Sequence, residues 1–188
     1  MNQIKAIVWD IGGVLLENPF IGEFWKNKEG SEELRHKFGS GKITKTEFIN
    51  QASKMLGIPK KNFIEEYGKA YFPIKKINEV FKIFLSFEGK NYLFSDTNPI
   101  HLEFIKLKYP EIFKKSENIF MSSKIGYRKK DLESYDILIN KIDLLPEEIL
   151  FIDDSMEIIN LAKKKGISTI LYNNPKQLKK ELKEKLND

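Results

Sequence analysis

The chain has 188 residues, 41% of them apolar and 31% charged, with a formal net charge of +5. This size and balance fit one soluble globular domain with room for a modest insertion. The absence of cysteine excludes disulfides and thiolate metal sites, and it suits a reducing cytoplasm.

The first apolar run, "IKAIVW", ends at Asp10, and Gly12 and Gly13 follow at once. The stretch from Ile4 to Leu16 is interrupted by Asp10 and is too short to span a bilayer. It also lacks the small-residue cleavage pattern of a signal peptide, so no membrane role is expected. From about Asn18 to Glu88 only helical patterns occur. Within them "ITKTEFINQASKMLG" pairs Thr44 with Glu47 as a capping box and closes on Gly57. Four more short apolar runs follow: "NYLFS", "NIFMS", "ILFI" and "STILY". The segments between them are helical in period, which is the βαβ pattern of a parallel sheet. "NPIHLEFIKLKYPEIF" reads as one helix starting after Asn98. "KDLESYDILINKI" carries Leu132, Tyr135, Leu138, Ile139 and Ile142 on one stripe. "MEIINLAKKKG" ends at Gly166 as a C′ glycine, and Pro175 to Leu186 reads as a last surface helix.

The prediction is therefore an α/β fold: a parallel-sheet domain from residues 1–17 and 89–188, interrupted by an all-helical insert over residues 18–88. The lysine-rich segments alternate with glutamate and lack interleaved aromatics, so they read as solvated surface, with no nucleic-acid partner expected.

Ligands of open parallel sheets bind at the carboxyl ends of the strands. Here those ends carry Asp10, then Ser95-Asp96-Thr97, then the loop "SSKIGYRKKD", then Asp153-Asp154. Carboxylates from two strands, a hydroxyl from a third and a lysine group suit phosphoryl transfer through an aspartate. A Mg²⁺ ion held by the carboxylates would neutralise the phosphate, and a lysine and hydroxyl would hold its other oxygens. Glycines after the nucleophile let a phosphate approach the backbone where a Cβ would obstruct it.

Four segments in order, "VWDIGGVLL", "LFSDTNPIH", "GYRKKD" and "LFIDDSMEIINLAKKKGI", resemble the four motifs of the haloacid dehalogenase superfamily. The resemblance covers nearly the whole chain and points to the branch with a helical cap inserted after the first motif. It implies a three-layer α/β/α Rossmann-like core with strand order 5-4-1-2-3. It also implies Mg²⁺-dependent hydrolysis of a small phosphorylated metabolite. On matching positions it implies Asp10 as nucleophile and metal ligand, and the backbone carbonyl of Gly12 as a second ligand. Ser95 would bind the phosphoryl group with Asp96 and Thr97. Lys129, rather than Lys130, would pair with Asp10 and the phosphate. Asp154 would be the main ligand of the fourth motif, with Asp153 acting directly or through water. The resemblance does not identify the substrate or the oligomeric state.

The pattern departs from the family at Gly12. Most phosphatases of the family have there a second aspartate that protonates the leaving group. Losing a general acid–base costs about 10²–10⁴ in rate. The chain is then either a phosphatase for good leaving groups, such as acyl phosphates or sugar 1-phosphates, or a binding or regulatory protein with weak or no turnover. Glu17 is a candidate replacement. Dehalogenases of the family also lack this aspartate but use no metal, and the Asp153–Asp154 pair argues against that chemistry. The order of the acidic residues and the long insert argue against a response-regulator receiver. His101 is expected in the first turn of a helix with no metal role, and Trp9 in the core. Phe20, Phe24, Trp25, Tyr67, Tyr71 and Phe72 are expected to pack the insert, with one or two lining a substrate pocket.

Overall fold

The computed structural model describes residues 3–17, 22–71 and 73–186. Five strands form one parallel sheet: β1 (Ala6–Trp9), β2 (Lys90–Ser95), β3 (Asn118–Met121), β4 (Ile149–Asp153) and β5 (Ser168–Leu171). Their spatial order is β3-β2-β1-β4-β5, the expected 5-4-1-2-3 read from the other edge. The strands are short continuous apolar runs because both faces of the sheet are covered. Between β1 and β2 lie α1 (Ser31–Gly39), α2 (Lys45–Leu56), α3 (Lys60–Tyr71) and α4 (Asn78–Ser86). The remaining helices are α5 (Pro99–Lys108), α6 (Pro110–Lys115), α7 (Ser122–Ile125), α8 (Leu132–Ile142), α9 (Met156–Lys164) and α10 (Pro175–Leu186).

Alternation along each strand divides the core into two layers. Ile7, Trp9, Leu93, Ile152 and Ile170 face one side, packed with Phe81 and Phe84 of α4, Ile105 of α5 and Leu178 of α10. Val8, Tyr92, Phe94 and Phe151 face the other, packed with Tyr135 and Leu138 of α8 and Ile158 of α9. A third cluster, Trp25, Leu34, Phe38, Phe48, Phe63 and Tyr67, sits within α1–α3 and the segment before them, and it meets the sheet domain at Ile100. The helix α4 thus packs with the sheet, although its sequence is continuous with the insert.

Local signals explain most boundaries. Thr44 and Glu47 form the reciprocal capping box of α2, and Gly57 closes it with φ 71°. Gly166, with φ 79°, follows α9. Asn98 caps α5 by accepting from the amides of Ile100 and His101, each at 3.0 Å. The segment expected as one helix after Asn98 is two, α5 and α6, broken at Tyr109 because Pro110 cannot continue the first. The loop after β3 contains the short helix α7, too brief to show a period. Leu132, placed on the apolar stripe of α8, is 38% exposed in its first turn, whereas Tyr135, Leu138 and Ile142 are buried.

One buried polar pair anchors β1. The Trp9 indole N–H donates to Asn91 Oδ1 at 2.7 Å, and both side chains are almost completely buried. Substituting Asn91→Leu leaves that N–H without a partner, an effect worth about 1–3 kcal/mol. Chemical denaturation should show a loss of that size, and an unchanged midpoint would contradict the assignment.

Candidate active site

The register of the sheet assembles the site. Trp9 of β1 pairs with Ile152 of β4, so the next residues, Asp10 and Asp153, emerge side by side at the carboxyl edge. The Asp10 amide donates to the Ile152 carbonyl at 3.0 Å. From the far side of β2, the loop after α7 sends Lys129 into the same place. Its Nζ donates to Asp10 Oδ1 at 2.8 Å and to Asp153 Oδ2 at 2.7 Å. The ammonium is 6.0 Å from the ring centres of both Phe94 and Phe151, so it rests on the aromatic floor of the sheet.

All three charged groups are buried. Burial pushes the Asp10 carboxyl up to about 7; the Lys129 charge opposes that and the Asp153 charge adds to it. Burial works against the Lys129 ammonium, but Asp10 and Asp153 outweigh it and hold its pKa above the ordinary lysine value. Asp154 stands beside them and is exposed. One carboxylate oxygen from each of Asp10, Asp153 and Asp154 lies within 4.8 Å of the others. Such a set of hard oxygen donors, one side open, fits a Mg²⁺ ion. Asp10 Oδ1 carries the bonds from Ile11 N and Lys129, while Asp153 is used by Lys129 and by the Ser155 amide at 2.8 Å.

After Asp10 the chain reverses. Ile11 O accepts from both Leu15 N and Leu16 N, and Gly13 N donates to Leu16 O at 2.7 Å. Gly13 has φ 84°, which explains a glycine there. The departing strand is then met by the returning one: Glu17 N donates to Lys75 O and Ile77 N to Leu15 O. The two connections to the insert therefore run side by side at the edge of the site. Glu17 is exposed on this pair of connections, hydrogen-bonded through its backbone to Lys75.

Ser95 and Thr97 are buried at the end of β2. The Asp96 side chain is turned to the Lys129 loop: Oδ1 accepts from Lys129 N at 3.0 Å and Oδ2 from Arg128 Nε at 3.1 Å. A carboxylate so engaged would repel a phosphate, so what Asp96 can offer an anion is its backbone. Its side chain positions Lys129. The Tyr135 hydroxyl does the same from below, 2.9 Å from the Lys129 carbonyl. Neither role is legible in the sequence, where Asp96 reads as a phosphate-binding residue beside Ser95 and Tyr135 as part of an apolar stripe. Lys130 points away and pairs with Glu157 on the surface.

The helical insert closes over this edge. Ser122 Oγ donates to Gly39 O at 2.6 Å, and Lys45 pairs with Glu103 at 2.7 Å. Gly41, at φ 70°, lies so close to the Ser123 carbonyl that a Cβ there would collide with it. Between insert and sheet domain is a cavity of about 320 Å³, lined by Arg35 and Tyr67 on one side and by Thr97, Asn98, His101 and Arg128 on the other. His101 stacks on Tyr71 at 3.9 Å between ring centres, and its Nε2 is 2.6 Å from the Tyr67 hydroxyl. Of the aromatics expected to pack the insert, Trp25, Tyr67 and Tyr71 are buried, and Tyr67 also lines the cavity. Phe20 and Phe72 lie outside the described residues.

No family model matches the chain. It is 25% identical to a D-ribitol-5-phosphate phosphatase of Bacteroides thetaiotaomicron, over 96% of this chain and 97% of that one. Among solved structures, a predicted HAD-like family hydrolase from Porphyromonas gingivalis superposes with a TM-score of 0.81 at 22% identity, covering both chains in full. A HAD family enzyme from B. thetaiotaomicron, solved with magnesium and inorganic phosphate, superposes with a TM-score of 0.77 at 24% identity over 91% of this chain and 95% of that one. The structural likenesses establish a shared fold.

Burial, and next to it the Arg35 charge, lowers the His101 pKa from the ordinary 6.5 to about 3. The unfolded chain therefore binds one more proton than the folded chain between those values. The contribution of this group to stability is complete above pH 6.5 and declines as pH falls toward 3. The His101 imidazole should remain neutral at pH 5 by nitrogen-detected NMR. Titration near 6.5 would contradict the buried, stacked placement.

Proposed function

We propose that this chain, haloacid dehalogenase-like in its fold and in the four motifs at its strand ends, is a Mg²⁺-dependent phosphatase of small phosphorylated metabolites. The observation that carries the reading is the Asp10–Lys129–Asp153 cluster, with Asp154 beside it, at the point where the strand order reverses. The relatives' names agree: one is a phosphatase of a sugar-alcohol phosphate, and a structural neighbour was solved with magnesium and phosphate.

Asp10 would attack phosphorus, forming the aspartyl–phosphorus bond as the bond to the leaving oxygen breaks. Water would then hydrolyse the acyl phosphate and free Asp10. Asp10, Asp154 and the Gly12 carbonyl would hold Mg²⁺, with Asp153 contributing directly or through water. The ion would supply charge neutralisation between two anions. Ser95, the backbone at Asp96 and Thr97, and the Lys129 ammonium would hold the phosphoryl oxygens. Charge built up on them in the transition state would meet a cation that Asp10, Asp153 and Tyr135 already fix in place.

The insert, residues 18–88, is taken as the cap. Its part before Lys75 would turn on the paired connections at Leu15–Glu17 and Lys75–Ile77, while α4, which belongs to the same stretch of sequence, would stay packed on the sheet. Cap closure would exclude water during phosphoryl transfer. Gly12 offers no acid to the leaving group, and Glu17 sits on the hinge. Substrates with good leaving groups, acyl phosphates and sugar 1-phosphates, are therefore favoured. The reading carries with it a cytoplasmic location and no nucleic-acid partner. Among the described residues, no helix is long and apolar enough to cross a membrane.

The test is phosphate release from acetyl phosphate, a sugar 1-phosphate and an alkyl phosphate, with and without Mg²⁺. Release should require Mg²⁺, favour the first two by about 10²-fold or more, and vanish in Asp10→Asn. Binding of Mg²⁺ and phosphate without any release would instead support the binding-protein reading that Gly12 also allows.

A further inference from the structure

The cavity between insert and sheet domain is lined by two guanidinium groups, Arg35 and Arg128, and by two carboxylates, Glu32 and Asp96. Arg35 on α1 reaches it with its guanidinium 5.8 Å from the Trp25 ring centre, and its Nε donates to the Ser31 carbonyl at 3.3 Å. Among the described residues no carboxylate lies within ion-pair distance of Arg35. Glu32 also borders the cavity but is exposed and unpaired with it. The second cation on the wall, Arg128, is committed to Asp96 at 3.1 Å. Tyr67 stands beside Arg35 and His101 opposite, both neutral, and both feel its charge: it opposes protonation of His101 and favours ionisation of Tyr67. Thr97 and Asn98, from the strand end that carries Ser95, form the floor. A half-buried guanidinium with its terminal N–H groups unpaired is built to take a carboxylate or phosphate in a planar, two-point contact.

We propose that Arg35 selects substrates whose leaving group carries a second anionic group, a carboxylate or a further phosphate, seated in this cavity. The proposal rests on the phosphatase reading for the position of the transferred phosphoryl group. The cavity of about 320 Å³ restricts the leaving group to a few carbons, at the small end of ligand pockets. Its polar walls disfavour long apolar chains. In the bound state the anion would face Arg35, and the neutral Tyr67–His101 pair would add hydrogen bonds without repelling it.

Phosphonates test this independently of turnover, because their carbon–phosphorus bond survives hydrolysis. Calorimetry with Mg²⁺ would compare 3-phosphonopropanoate with propylphosphonate, and phosphonomethylphosphonate would supply the phosphate arm. The wild-type chain should bind at least one of the two-anion compounds roughly 10- to 100-fold tighter than propylphosphonate, the size of a charge-assisted contact. Arg35→Gln should remove that preference and leave propylphosphonate affinity within about threefold, and Arg35→Lys should retain part of it. Which compound is preferred distinguishes carboxylate from phosphate. Equal affinities in the wild type, no binding of any phosphonate, or a preference that survives Arg35→Gln would overturn the proposal. Failure of the phosphatase reading would be seen separately, as no phosphate release from acetyl phosphate while the phosphonate preference stands.

Discussion

A lysine ammonium held in the protein interior between two carboxylates is the constraint around which the carboxyl edge of this sheet is organised. Lys129 is 5% exposed, Asp10 6% and Asp153 1%. Removing these charges from water is costly, and the attraction between them offsets that cost only if the geometry is kept. The neighbouring elements supply that geometry. The β1–β4 register brings the two carboxylates together, Asp96 and Tyr135 fix the backbone of Lys129, and the Ser155 amide occupies the second oxygen of Asp153.

The cluster carries two negative charges and one positive charge, with Asp154 adding a third negative charge at its open side. Desolvation and the Asp153 charge leave Asp10 favouring its proton more than an ordinary aspartate, despite the lysine beside it. A divalent cation would relieve that imbalance and release Asp10 as an anion. The same groups that give the site its electrostatic strain are those a phosphoryl group needs: a nucleophile, a fixed cation and a metal site. Structure and proposed chemistry thus draw on one balance of charge, with the insert closing above it through Gly39, Gly41 and Tyr67.

Much of this was legible in the amino-acid order because the informative residues lie next to strong local signals. Asp10, Ser95 and Asp153 follow apolar runs, and parallel topology fixes the end of the sheet at which they gather. The sheet order and Lys129, rather than Lys130, were expected from the resemblance, and the structure places Lys129 between Asp10 and Asp153. What sequence reading missed depends on contacts between distant segments. Asp96 bonding to Arg128 and Lys129 spans more than thirty residues, and Arg35 facing His101 depends on how α1 docks. The helix α4 reads as part of the insert because its apolar period does not say which partner it packs against. The break at Pro110 was visible in the sequence, but the apolar pattern running through it suggested one helix.

The central claim is that Asp10 is the group that takes up the phosphoryl. Acid-quenching the chain during incubation with acetyl phosphate and Mg²⁺, then mapping the peptides by mass spectrometry, addresses it directly. One added phosphoryl group is expected on the peptide containing Asp10, removed by hydroxylamine and absent without Mg²⁺ or in Asp10→Asn. Phosphate release with no label on that peptide, or a label on another residue that persists in Asp10→Asn, would contradict it.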